Sequence, residues 1–196
     1  MKSLLIRLMP AALLCLALTA CGGGGAVGQT PYDPETAAQA LLDSGAFSDA
    51  LDTVDQDTAA ALDEMEAVFA AEGLETERVQ VGNRVIRGCI ACGKCAELGR
   101  CVFDDLVNEL APNLEACDGL VVGSPVYYAS ANATLVALLT RLFYSTPFDK
   151  TMKVGAAVAA ARRGGLSSTF DELNKFFTIS GMPVASSQYW NSIHGR

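Results

Sequence analysis

The chain has 196 residues, of which 51% are hydrophobic and 18% are charged, and its net charge is −8. This composition suits a buried core and argues against a disordered chain. Between Pro31 and Glu77 there are 13 acidic residues and neither Lys nor Arg. Because such a surface repels phosphate backbones, we expect no nucleic-acid partner.

The N-terminus has the pattern of an export signal. Lys2 and Arg7 precede an apolar run over residues 8–18, which is too short to span a bilayer as a helix. The run ends in Leu-Thr-Ala-Cys at residues 18–21, followed by four glycines. This resembles a bacterial lipoprotein signal with its lipobox. The resemblance implies cleavage before Cys21, lipid attachment to its thiol and a glycine tether; the alternative is a buried helix.

The rest of the chain alternates helical and strand patterns. We predict helices over residues 61–72, 133–144 and 167–179, the first of them capped by Gly73. Apolar runs predict strands over residues 75–81, 117–123, 153–160 and 183–187. This alternation indicates a parallel sheet with crossover helices. The predicted organisation is a signal at 1–21, an acidic linker at 22–58 and a partial domain at 59–196.

Three motifs occur in order in the predicted domain: Ile-Arg-Gly-Cys-Ile-Ala-Cys-Gly-Lys-Cys at 86–95 with Gly-Arg-Cys-Val at 99–102, Gly-Ser-Pro-Val-Tyr-Tyr at 123–128, and Ala-Arg-Arg-Gly-Gly at 161–165. They are similar to the motifs of iron–sulfur flavoproteins and related NAD(P)H-dependent FMN reductases, over roughly residues 62–196. The resemblance implies a flavodoxin-like three-layer sandwich and bound FMN. It also implies a nicotinamide donor, an electron acceptor of unknown identity and a homo-oligomer.

The chain departs from that family at both ends of the domain. Family members open with a strand and a Gly-Ser-Pro type loop that holds the FMN phosphate, whereas acidic residues 52–57 precede the first helix here. Thr140 stands where the family usually has Asp before Arg141, and no closing helix follows residue 187. We therefore predict an incomplete α/β sandwich that lacks its first, central strand and its closing helix. The only apolar candidate for that gap is residues 8–18, which export would remove.

Two loops are candidates for holding the flavin, because ligands of open parallel sheets bind beyond the carboxyl ends of the strands. Backbone amides, tyrosine rings and polar side chains of the first loop suit the ring, and the arginines of the second suit a reduced flavin's negative charge. The alternatives are an ordinary strand-to-helix turn and an exposed basic turn. No residue is a clear general acid or base. The predicted cofactor-binding residues are Ser124, Pro125, Val126, Tyr127, Tyr128, Ser130, Asn132, Ala161, Arg162, Arg163, Gly164 and Gly165.

Four of the seven cysteines form a C-x2-C-x2-C-x5-C cluster: Cys89, Cys92, Cys95 and Cys101. One compact loop can wrap a cubic 4Fe–4S cluster, which has several iron corners. Plain thiols or disulfides and a zinc site are the alternatives. Cys117, just before an apolar strand, is expected to be a buried structural thiol.

The sequence thus predicts an FMN-dependent NAD(P)H oxidoreductase that passes electrons to an acceptor, with or without an iron–sulfur cluster. The alternatives are a non-enzymatic, membrane-anchored lipoprotein and an electron-transfer module that holds a cluster without flavin. A used signal implies lipid anchorage at the cell membrane, whereas the flavoprotein family implies the cytoplasm. The two are in conflict, because clustered thiols exported to an oxidising compartment tend to form disulfides.

Overall fold

The computed structural model describes residues 13–17, 53–82 and 84–194. Five parallel strands form one sheet in the order β2-β1-β3-β4-β5, the order typical of a flavodoxin-like fold. The predicted fold class is therefore confirmed. The strands are β1 (Leu13–Ala17), β2 (Thr76–Gln80), β3 (Gly119–Pro125), β4 (Val154–Ala161) and β5 (Ser192–His194), and the helices are α1 (Thr53–Ala71), α2 (Cys95–Leu98), α3 (Leu106–Ala116), α4 (Ala133–Ser145) and α5 (Leu166–Ile179).

The central strand is present, and the prediction that it is missing is wrong. β1 pairs in parallel with β2, from Leu13 opposite Thr76 to Ala17 opposite Gln80. On its other side it pairs with β3, from Leu14 opposite Leu120 to Ala17 opposite Gly123. Strand β1 lies inside the apolar run assigned to the export signal. The backbone groups of β2 and β3 that face the gap therefore find partners.

Helices cover both faces of the sheet because the side chains of β3 alternate between them. Leu120 and Val122 belong to the larger core cluster, which contains the apolar faces of α3, α4 and α5. Val121 points the other way and packs in a smaller cluster with Leu62 of α1. All seven residues of β3 are buried, as expected for a parallel strand covered on both sides.

Local chemistry explains the end of α1 and the start of α3. Gly73 has a φ of 75°, and the Leu74 amide donates to the Phe69 carbonyl at 2.8 Å, so the predicted glycine cap of α1 is confirmed. Helix α1 itself begins at Thr53, before the domain boundary predicted at residue 59. Asp105 caps α3 by accepting from the Val107 amide at 3.1 Å.

Further elements differ from the sequence prediction. Helices α2 and α3 were not predicted, and α3 contains Pro112 in its interior. The last strand was predicted at residues 183–187, but there Val184 forms only an isolated bridge with Gly155. The strand that completes the sheet is β5, which pairs with residues 159–161 of β4. Among the described residues, no helix is both long and apolar enough to cross a membrane.

Candidate functional site

The loop between β2 and α3 brings the four clustered cysteines together. Cys89, Cys92, Cys95 and Cys101 line one narrow cavity. None of them forms a disulfide; Cys95 and Cys101 are half-buried, and Cys89 and Cys92 are exposed. Left-handed turns shape the loop, with a φ of 53° at Ala91, a conformation that is uncommon for a non-glycine residue and is often found at functional sites. The Ala91 amide donates to Cys89 Sγ at 3.4 Å.

A buried arginine lies against this loop. Arg141 of α4 is 1% exposed. Its Nε and Nη2 donate to Cys101 Sγ at 3.3 and 3.1 Å, and its guanidinium also forms an ion pair with Asp105 at 2.7 Å. Burial lowers the pKa of Arg141, but its hydrogen bonds to Asp105 and Cys101 and the charges of those groups outweigh burial, so the pKa lies above its ordinary value. The guanidinium is therefore charged at every physiological pH.

The four thiols match the donor set of an iron–sulfur cluster. Among the described residues, no three His, Cys, Asp or Glu side chains converge closely enough to hold one metal ion, whereas a structural zinc site places four ligands around one point. A cubic cluster instead takes each thiolate on a different iron corner. Four free thiols around a common cavity, two of them accepting N–H donors, match that requirement.

The β3–α4 loop holds a strained turn beyond the carboxyl end of β3. The Tyr127 amide donates to the Ser130 carbonyl at 2.9 Å, and the Ser130 amide donates back at 3.1 Å. Tyr128 and Ala129 between them have φ values of 50° and 64°, which define a tight turn of the kind that favours Gly and Asn. The Tyr128 side chain is fully exposed. Strain of this sort is often retained where a loop binds a ligand.

Most polar groups that the sequence predicted for flavin contact are engaged within the protein. The Val126 amide donates to the Ala160 carbonyl at 2.8 Å, and the Asn132 amide donates to Ser124 Oγ at 2.9 Å. Asn132, 3% exposed, caps α4 through the amides of Thr134 and Leu135. These groups build the loop, and the prediction that the amides after Pro125 face a flavin stays a prediction.

Glu172 of α5 contacts this loop, and no sequence pattern singles it out. Its Oε2 accepts from Ser130 Oγ at 2.7 Å and from the Ala131 amide at 3.1 Å. Ser168, also on α5, donates from Oγ to the Ala129 carbonyl at 2.8 Å. The β3–α4 loop is thus fastened to the helix that follows β4.

The β4–α5 loop lies against the same turn. Gly165 has a φ of 105°, and a Cβ there would lie 2.7 Å from the Ala129 Cα, so the two loops touch through a position only glycine accommodates. Arg162 and Arg163 are exposed, and neither forms an ion pair with another described residue. Ala161 is buried at the end of β4, and Gly164 is exposed. Tyr128, Arg162 and Arg163 therefore remain accessible at the carboxyl edge of the sheet.

Two predicted features lie elsewhere. Cys117 is 1% exposed and its thiol donates to the Leu114 carbonyl at 3.4 Å, which confirms a buried structural thiol. Cys21, the predicted lipidation site, lies outside the described residues, as do residues 18–52, where a phosphate-binding loop between β1 and α1 would be found.

The sequence model of the NADPH-dependent FMN reductase family matches residues 53–195. The chain belongs to this family. Among curated proteins, it is 38% identical over 122 residues to an iron–sulfur flavoprotein of Methanocaldococcus jannaschii, an alignment that covers 59% of this chain and 62% of that protein. It is 37% identical over 121 residues to the iron–sulfur flavoprotein of Methanosarcina thermophila, with 60% and 63% covered. The chain thus spans somewhat over 60% of the length of these relatives.

Among solved structures, the chain is similar to the FMN-bound flavodoxin of Fusobacterium nucleatum, with a TM-score of 0.43 and 16% identity, over 70% of this chain and 68% of that one. It is also similar to an azoreductase of Bacillus anthracis, with a TM-score of 0.48 and 13% identity, over 90% and 85%. The strand order, rather than these similarities, defines the fold. The family match begins at α1, so β1 lies outside it.

Proposed function

We propose that the protein is a flavin-dependent oxidoreductase that takes electrons from NAD(P)H and passes them through an iron–sulfur cluster to an acceptor. One observation carries this proposal: in a chain of the FMN reductase family, four cysteines line one cavity and a buried guanidinium donates to one of their sulfurs. When bound, FMN would accept a hydride from the nicotinamide and release its electrons singly, and a 4Fe–4S cluster would carry them one at a time.

The chain's own residues have separable tasks in this proposal. Cys89, Cys92, Cys95 and Cys101 would hold the cluster. The accessible Arg162 and Arg163 would place positive charge beside the flavin, where negative charge develops on reduction. Tyr128 would cover a ring face, because an exposed aromatic side chain in a strained turn suits stacking. Ser124, Ser130 and Asn132 would shape the loop rather than contact the flavin.

Anaerobic purification with metal and flavin analysis tests the cluster and the flavin separately. We expect about four iron and four sulfide per chain, together with flavin absorbance. Cys92→Ser should lose most of the iron. Cys117→Ser is the matched control and should retain it, because Cys117 is buried away from the loop. A preparation that contains zinc and no sulfide would contradict the cluster, and one that binds no added FMN would contradict the oxidoreductase.

FMN affinity is proposed to be weak. The FMN phosphate is usually held by backbone amides in a loop and at a helix N-terminus, and the sequence before and within the first turns of α1 carries Asp52, Asp55 and Asp57. Each charge-assisted hydrogen bond that is not made to the FMN phosphate weakens FMN binding by roughly 1.5–3 kcal/mol. Titration of the reduced chain with FMN, followed by flavin fluorescence, measures the affinity; nanomolar binding would show that other residues hold the phosphate.

The proposed location of the protein depends on whether β1 stays in the mature chain. Cleavage before Cys21 would remove Leu13–Ala17, which pair on both sides in the sheet. We therefore propose that the redox-active form keeps its N-terminus and that the lipid-anchored form is the alternative. Mass analysis of membrane and soluble fractions from the native host separates the two. Flavin and iron found only in a processed, lipid-bearing chain would overturn this assignment.

A further inference from the structure

Arg141 lies in an environment that is costly for a charge. It lies on the apolar face of α4, among buried leucines that include Leu138 and Leu142. Removing a cation from water costs several kcal/mol unless it is paired and hydrogen-bonded. The contacts of Arg141 supply that compensation, and all of its polar contacts go to residues of the cysteine loop and its C-terminal border. Neither the β3–α4 loop nor the β4–α5 loop, both of which the structure describes, forms a hydrogen bond with Arg141.

These contacts join the two ends of the cysteine loop. On the N-terminal side, Arg141 Nη1 donates to the Arg87 carbonyl at 3.2 Å. On the C-terminal side, Nη1 and Nη2 donate to the two Asp105 carboxylate oxygens at 2.7 and 3.0 Å. The guanidinium also lies 5.0 Å from the centre of the Phe103 ring. One side chain on a rigid helix thus fastens the segment that enters the loop to the segment that leaves it.

The same guanidinium makes Cys101 different from the other three cysteines. Nε and Nη2 both donate to its sulfur, at 3.3 and 3.1 Å. In the described part of the chain, Cys89 Sγ accepts only a backbone amide, at 3.4 Å. Hydrogen bonds and positive charge directed at ligand sulfurs raise the potential of a cluster, because they stabilise its more negative, reduced form.

We propose that Arg141 is a positioning residue of the cysteine loop, which fastens both ends of the loop and makes Cys101 the ligand that sets the cluster's reduction potential. This inference rests on the proposed function for its redox half only. The fastening of the loop concerns the protein alone and is testable without any metal.

Hydrogen exchange of the metal-free, reduced protein tests the fastening. The amides of Leu98, Gly99 and Cys101 are each hydrogen-bonded within the loop region. In Arg141→Met their exchange should be at least about tenfold faster than in the wild type, while the amides of β3 and β4 exchange as before. Arg100→Met is the matched control: it also removes one positive charge beside the cysteines, but Arg100 is exposed and, among the described residues, pairs only with Asp104, so loop exchange should not change.

Redox titration of the reconstituted protein tests the tuning. Arg141→Met should lower the midpoint potential and alter the electron paramagnetic resonance spectrum of the reduced cluster, and Arg100→Met should do neither. Arg141→Lys retains the charge but not the planar fork of donors, so it should recover part of the potential and little of the loop protection. If Arg141→Met does not fold, Arg141→Lys carries both measurements.

The possible results separate the inference from the proposed function. A wild type that binds no cluster, together with faster loop exchange in Arg141→Met, would overturn the redox half and the proposed cluster but support the fastening. Loop exchange in both Arg141 variants that matches the wild type would overturn the fastening. A potential that shifts equally in Arg141→Met and Arg100→Met would overturn the tuning, since charge alone would then explain it.

Discussion

Replacing Gly165 with Ala should separate the two loops at the carboxyl edge of the sheet. Gly165 has a φ of 105°, and a Cβ there would lie 2.7 Å from Ala129 Cα and 2.8 Å from a methyl of Val126. A left-handed backbone costs a non-glycine residue about 1–2 kcal/mol, and overpacking against a backbone atom about 1–3 kcal/mol. We therefore expect Gly165→Ala to lower the free energy of unfolding by about 2–5 kcal/mol.

The neighbouring glycine provides the matched control. A Cβ on Gly164 would meet nothing within 4 Å, so Gly164→Ala should change stability by less than about 0.5 kcal/mol. Urea denaturation of the reduced proteins, followed by circular dichroism, gives both values, and a flavin titration shows whether the displaced turn also weakens binding. Equal urea midpoints for the two variants would show that the turn at residues 127–130 moves to accommodate the added methyl group. The close approach of the two loops would then contribute nothing to stability.

Three further changes test other parts of the structure. Asn132→Ala should destabilise the chain by about 1–2 kcal/mol through loss of the α4 cap, and Asn132→Ser should recover most of the lost stability. Urea midpoints measure both changes, and a Ser variant as unstable as the Ala variant would exclude capping as the cause. Burial lowers the pKa of Lys150 below its ordinary 10.5, so the charged form of Lys150 disfavours folding. The stability of the wild type relative to Lys150→Met should therefore rise as pH increases from the lowered pKa towards 10.5. Denaturation at about pH 7 and about pH 10 measures this stability difference, and a difference that falls with pH would contradict the prediction. Deletion of residues 1–20 should abolish cooperative unfolding because β2 and β3 lose their shared partner, whereas Cys21→Ser should leave the midpoint unchanged; an unaltered midpoint after the deletion would show that β1 does not support the sheet.

Hydrophobic periodicity was sufficient to predict the elements that are buried in regular patterns. Helices α4 and α5 and strands β3 and β4 lie within two residues of their predicted bounds. Helix α3 was missed because Pro112 argues against a helix interior, although Val107, Leu110 and Leu114 have helical spacing. Strand β5 was missed because three partly polar residues at a sheet edge give no apolar signal.

The central strand could not be recognised from composition. A parallel strand covered on both faces is a continuous apolar run, and so is the core of an export signal. Only the pairing with β2 and β3 distinguishes the two, and pairing is not a local property of the sequence. The number of residues between this run and α1 also far exceeds the usual length of a strand-to-helix connection. The order of the segments along the chain therefore does not identify the run as a strand.

The candidate site was predictable where spacing alone determines it. The positions of the four cysteines identified the loop, and the strand ends identified Tyr128, Arg162 and Arg163. Which amides remain accessible depends on hydrogen bonds between distant segments, such as that of Ala131 with Glu172, and these have no sequence signature. Arg141 does have a sequence signal: it is a charged residue between Leu139 and Leu142 on the apolar face of a predicted helix.

Strand β1 has a consequence for the order of events during synthesis. Among the described elements it leaves the ribosome before the others, but its two neighbours end at Gln80 and Pro125. From Ala17 to Pro125 the ribosome must add 108 residues, which at about 5–20 residues per second takes roughly 5–20 s. Throughout that interval a segment with the hydrophobicity of an export signal has no second partner strand. We therefore expect the segment to stay available to the cell's targeting machinery for the whole time that the sheet cannot yet enclose it.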